Sequence, residues 1–208
     1  MINLQINLSE FPPVLHRIIK SWYSWQEIYL RKMGKPLPES DFAAETRNQH
    51  TYWGTRPPTM SDATSLCFLD DYELAYYLVI DENQFYIDKQ SRGSRKRYWM
   101  FRRFEDAEKY ALFLISQSAR PGRYSDSPSY RWYQEGLNPR ITLTKPDPVN
   151  YPGRVSLTVD RESIDRGWMP EHDAVAASHL IVLSFEELDE TLRQGIPRDW
   201  FSWNITGA

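Results

Sequence analysis

The chain has 208 residues, of which 41% are hydrophobic and 25% charged, with a formal net charge of −3. That length and balance suit one folded α+β domain with a core of its own and exclude a disordered chain. The slight acidity argues against a general nucleic-acid binder and points to a neutral or protein partner.

Cys67 is the single cysteine and lies in the apolar run Ser65-Leu-Cys-Phe-Leu69. One cysteine builds no internal disulfide framework, so folding in a reducing, cytoplasmic compartment is expected. In that run it reads as a buried strand residue and not as a nucleophile. The first ten residues lack the basic and apolar regions of a signal peptide, and no run approaches the roughly 18 apolar residues that span a bilayer. No membrane association is expected. The 8 Trp, 13 Tyr and 9 Phe must in part fill the core. The excess also favours a binding function, since aromatics and arginine dominate protein-protein hot spots.

In chain order, the spacing of Val14, Leu15, Ile18, Ile19, Trp22, Trp25, Ile28 and Tyr29 predicts a helix over residues 12–33. Pro12 and Pro13 suit its first turn, and Gly34 with Pro36 stops it. Residues 35–62, polar and proline-rich, read as a long loop. Residues 63–69, 72–81, 84–90 and 96–102 are rich in β-branched and aromatic side chains. They are separated by Asp70-Asp71, Glu82-Asn83 and Ser91-Arg-Gly-Ser94, which predicts an antiparallel meander.

A helix over 104–118 follows, with Phe104, Ala107, Tyr110, Ala111, Leu114 and Ile115 on one face. Residues 120–139 read as a loop. Strands at 140–144 and 154–159 flank a rigid turn carrying Pro146, Pro148 and Pro152. Residues 173–178, a short helix or extended piece, lead into the apolar run 180–183. Ser184-Phe-Glu-Glu187 is a capping box that opens a last helix, which Gly195 and Pro197 end. The aromatic tail Asp199-Trp-Phe-Ser-Trp-Asn204 is expected to dock. One domain over 1–208 results: an N-terminal helix and loop (1–62), a sheet-and-helix core (63–195) and a tail (196–208).

The chemistry-bearing residues form no recognisable catalytic set. His16, His50, His172 and His179 lack metal-ligand spacing. Asp160, Glu162, Asp165, Glu171, His172 and Asp173 have neither a paired-His motif nor a Gly-punctuated calcium loop, and read as a solvated acidic face. There is no nucleophile elbow and no phosphate loop. Asp70/Asp71 and Glu186/Glu187 suit turn and cap positions. No catalytic residue, metal or cofactor is expected.

One charge anomaly stands out: Arg92, Arg95, Lys96 and Arg97, continued by Arg102 and Arg103, with no acid between Lys89 and Glu105. The bland reading is protection of a sheet edge against aggregation. The functional reading makes Arg92, Arg95, Lys96, Arg97 and Tyr98 a cationic hairpin that docks on a partner. A third, single-stranded nucleic acid on the interleaved Tyr98, Trp99 and Phe101, sits poorly with an acidic chain.

Two segments carry a family resemblance. Phe104-Glu-Asp-Ala-Glu-Lys-Tyr-Ala-Leu-Phe-Leu-Ile115, straight after an aromatic strand, resembles a helix of bacterial polymorphic-toxin immunity proteins. These are the immunity protein 61 family, to which the immunity factor of tuberculosis necrotizing toxin belongs. Asp173-Ala-Val-Ala-Ala-Ser-His-Leu-Ile-Val-Leu-Ser-Phe-Glu-Glu-Leu188 resembles that family's closing Asp-Ala-x-x-x-Ser-His segment and final capped helix. The likeness covers roughly residues 72–192. Arg103 departs from it, standing where a Ser or Asp cap is expected. The resemblance implies an antitoxin that binds a cognate NAD(P)-degrading toxin domain and transfers no binding residue position by position. The rival readings are a small enzyme using carboxylates with His172 or His179, and a regulatory interaction module.

Overall fold

The structure, a computed structural model, describes residues 2–35, 37, 56–71, 73–147 and 149–207. Strand β1 (Ile2–Ile6) leads through two short 3-10 turns into helix α1 (His16–Lys32). Gly34, in the left-handed region, closes α1 by letting the Lys35 N–H reach back to Leu30 O at 2.9 Å. The expected loop at 35–62 lies partly outside the described residues, and its end is a strand, β2 (Thr59–Asp62). The meander follows as β3 (Ser65–Asp70), β4 (Leu74–Asp81), β5 (Gln84–Ser91) and β6 (Ser94–Phe101).

Helix α2 (Phe104–Ala119) is next, and Arg103, the residue in the N-cap position before it, supplies no side-chain cap. Where the sequence reads as a loop, a helix forms, α3 (Pro128–Glu135). Ser127 accepts the Tyr130 N–H and Pro128 occupies the first turn, so the local chemistry for a helix start is present. Strands β7 (Ile141–Thr144), β8 (Arg154–Val159) and β9 (Gly167–Pro170) precede α4 (Ala174–Ile181) and α5 (Phe185–Arg193). Strand β10 (Trp203–Gly207) closes the chain. Ser184 and Glu187 form the expected capping box.

The fold is mixed α+β. Among the described residues eight strands form one antiparallel sheet in the order β2-β3-β4-β5-β6-β9-β8-β7. Leu66, Phe68, Leu78, Ile87, Trp99 and Phe101 line its inner face with Val155, Leu157 and Met169 from the second hairpin. Helix α2 packs on that face, while α1, α4 and α5 pack around α2. Burial of α2 is therefore nearly all round: Leu112, Phe113 and Ile115 are buried, whereas Phe104 and Leu114 are only partly so. The single apolar face expected for this helix is too narrow, because three further helices cover its back.

Strand β9 joins the two halves of the sheet through Met100↔Trp168 and Phe101↔Gly167. Gly167 is required there, since a Cβ would stand 1.9 Å from Met100 O. The aromatic tail docks as β10, which runs parallel to β1, Ile2 opposite Trp203. Among the described residues no helix is long and apolar enough to cross a membrane.

Candidate protein-binding surface

The basic segment forms the β5–β6 hairpin. Arg92 (φ 51°) and Gly93 (φ 77°) make its tight turn, so Arg92 sits at the tip. A bulge opposite Ile87 and Asp88 leaves Tyr98 without a cross-strand partner and keeps Trp99 and Phe101 facing α2. Arg95 and Arg97 share the opposite, outer face. Arg95 donates to Asp88 Oδ2 at 2.8 Å and Ser65 Oγ at 2.7 Å and lies 3.9 Å from the Tyr77 ring centroid. Arg97 donates to Asp81 Oδ2 at 2.8 Å and lies 3.9 Å from the Tyr86 centroid. Lys96 pairs across the strands with Lys89 on the inner side. The hairpin thus brings Arg95 and Arg97 together, and puts Lys96, Arg92 and Tyr98 elsewhere.

The acids that neutralise this segment come from across the fold, where a count along the sequence does not find them. Arg102 pairs with Asp165, and Arg103 with Glu162. Asp160 pairs with Arg140, and Glu162 also binds Arg166. Of the stretch expected to be a solvated acidic face, Asp160, Glu162 and Asp165 are therefore ion-paired, tying the β8–β9 loop to the residues that open β7 and α2 and follow β6, while Glu171 and His172 are exposed. The Glu162 and Asp160 carboxyls are held below the usual range first by hydrogen bonds from Arg166 and Arg140 respectively. Among the described residues no group of three or more His, Cys, Asp and Glu is placed to hold a metal.

Cys67 is buried in β3, and burial pushes its thiol up to about 11, which keeps it protonated and unreactive at neutral pH. His16 bonds Phe11 O at 3.0 Å; His50 lies outside the described residues. His179 Nε2 lies 2.8 Å from Gly136 O and its ring stacks on Trp132, while Ser178 Oγ accepts the Asn138 N–H. The Ser-His pair of the resemblance thus fastens the segment after α3.

His172 and Asp173 are different. Asp173 is largely buried, accepts Trp99 Nε1–H at 3.0 Å, and has its carboxyl raised chiefly by burial. Exposed His172 stands 3.6 Å from the same oxygen. Both border a cleft of about 170 Å³ with Phe113, Gln117, Tyr124 and Tyr133. Tyr124 and Tyr133 are exposed, 60% and 67%, on its rim. Such a rim offers amphipathic anchors to a protein, and nothing in the 120–139 segment read as loop singled it out beyond its tyrosines.

The two segments carrying the family resemblance meet at Lys109. Its buried ammonium sits 3.0 Å from Asp106 and donates to Ile181 O and Leu183 O, both at 2.9 Å, at the end of α4. Asp106 also takes Arg166 at 2.7 Å.

This architecture defines an α+β protein with one face of an antiparallel sheet covered by helices. A solved structure of that class, Rv3902c from M. tuberculosis, superposes with a TM-score of 0.51 at 16% identity, over 73% of this chain and 88% of that one. At that identity the likeness is one of fold. No family model and no curated protein matches the chain.

Proposed function

We propose that this chain is an immunity protein, an antitoxin that binds and neutralises a cognate bacterial toxin domain of the NAD(P)-degrading kind. The observation that supports it most is Lys109. The motif helix and the Ser-His segment, far apart in sequence, form one unit through that ammonium, so the residues of the resemblance have a shared structural reason. On this reading the chain acts in the cytoplasm by stoichiometric contact, without cofactor or turnover. The test is capture with the purified chain as bait, followed by co-expression of any captured toxin domain. Survival of cells carrying both genes is expected. A captured domain whose lethality the chain leaves intact contradicts the reading.

A second reading, a small hydrolase, is favoured by His172 and Asp173 alone, since a buried carboxylate beside an exposed imidazole can act as a general base. It requires turnover by the purified chain that His172→Ala abolishes.

A further inference from the structure

We propose that Lys89, Lys96, Tyr98 and Arg154, with Trp168 beneath, form the docking surface for an acidic segment of a protein partner. This deepens the antitoxin reading by naming the chemistry of the partner surface, and rests on it only for the partner's identity.

Charge bookkeeping separates these cations from their neighbours. Arg95, Arg97, Arg102 and Arg103 each face a carboxylate. Among the described residues neither Lys89, Lys96 nor Arg154 has one within ion-pair distance. Lys89 and Lys96 are directly opposite in the β5–β6 register, where like charges repel. The Lys89 ammonium lies 5.2 Å from the Tyr98 centroid, and the Arg154 guanidinium lies 4.8 Å from that centroid and 5.1 Å from that of Trp168.

Arg154 is placed there by the backbone. Continuing the β6–β9 register would set Pro170 opposite Tyr98, and proline has no N–H to give. The Arg154 side chain supplies the missing donor, at 2.6 Å from Tyr98 O. The rest of its five-donor fork has no carboxylate to meet. Asp173 feels both Lys89 and Arg154 but pairs with neither, its Oδ2 being taken by Trp99. Beyond β9, the edge of β6 from Ser94 to Arg97 pairs only with β5 among the described residues. An extended segment fits along such an edge. The occupant that relieves three clustered cations is acidic, and the surrounding rings suit a peptide.

The experiment titrates the full chain, isotopically labelled, with a short acetylated oligoglutamate peptide, with inorganic phosphate and with a single-stranded RNA oligonucleotide. The readouts are the Trp168 indole N–H and the Arg154 guanidinium N–H. Expected are peptide-dependent shifts at both, and binding weakened about tenfold by Lys96→Gln or Lys89→Gln but unchanged by Arg97→Gln. Arg154→Gln is a further arm if it folds. No shift at Trp168, equal affinity in the lysine variants, phosphate binding as tightly as the peptide, or RNA binding more tightly would each overturn the proposal. Peptide binding without toxin neutralisation leaves this surface standing and removes the antitoxin reading; the converse removes only the surface.

Discussion

Glu27, fully buried in the middle of α1, accepts the backbone N–H of Trp203 at 2.9 Å, and also that of Ser202 at 3.2 Å. It also pairs with Arg31 one turn along the helix. An internal carboxylate thus fixes the start of β10 so that the tail can lie beside β1. Glu27→Ala removes the acceptor for two amides and strands the Arg31 charge. A loss of about 3–5 kcal/mol in denaturant melts is expected, with early hydrogen exchange at Trp203. A loss below about 1 kcal/mol contradicts this role.

Helix α2 provides a contrast within one element. Ile115 is fully buried and Leu114 only partly, so Ile115→Ala is expected to cost roughly 2–5 kcal/mol and Leu114→Ala distinctly less. Equal losses would mean that α2 is rotated from this placement.

Gly167 admits no side chain against Met100. Gly167→Ala is expected to cost about 1–3 kcal/mol or more, and to free the Arg102 amide, which donates to Arg166 O at 2.9 Å beside this junction, to exchange. Unchanged exchange there would contradict the β6–β9 junction.

Ser184→Ala should cost about 0.5–2 kcal/mol through the lost cap. Glu187 adds a pH dependence. Its carboxyl is held below the usual range, first by the Ser184 backbone N–H, so its contribution is present above the unfolded value and lost as pH falls through the folded one. The stability gap between the native chain and Glu187→Ala should therefore be full at neutral pH and close in acid below the usual glutamate range. A gap that widens in acid would contradict it.

The basic hairpin divides by burial. Arg95→Glu sets a second acid against largely buried Asp88, and a loss of about 1–3 kcal/mol is expected. Arg97→Glu breaks an exposed pair and should change stability by less than about 1 kcal/mol. Thermal and denaturant melts of the two variants separate these outcomes.

Which features the sequence displayed follows from their range. The meander, α2 and the α5 cap rest on alternation, helical spacing and a four-residue box, all local. Strand β9 has four residues bracketed by Gly167 and Pro170 and exists because of its neighbours. The β1–β10 pair joins the two ends of the chain; Ile2, Leu4 and Ile6 alternate as a strand should, but nothing nearby announces their partner. The charge anomaly was legible and its neutralisation was not, because Asp81, Asp88, Glu162 and Asp165 reach it only through the register of β4, β5 and the β8–β9 loop. Lys89 and Arg154 come to lie beside Tyr98 through the strand registers as well, and neither was visible as its neighbour.

The most direct test of the central claim is a titration of NAD(P) hydrolysis by the cognate toxin domain with the purified chain. The account predicts that activity falls in proportion to added chain and reaches zero at a fixed molar ratio, with no hydrolysis by the chain alone. Hydrolysis that persists in large molar excess of the chain would contradict it.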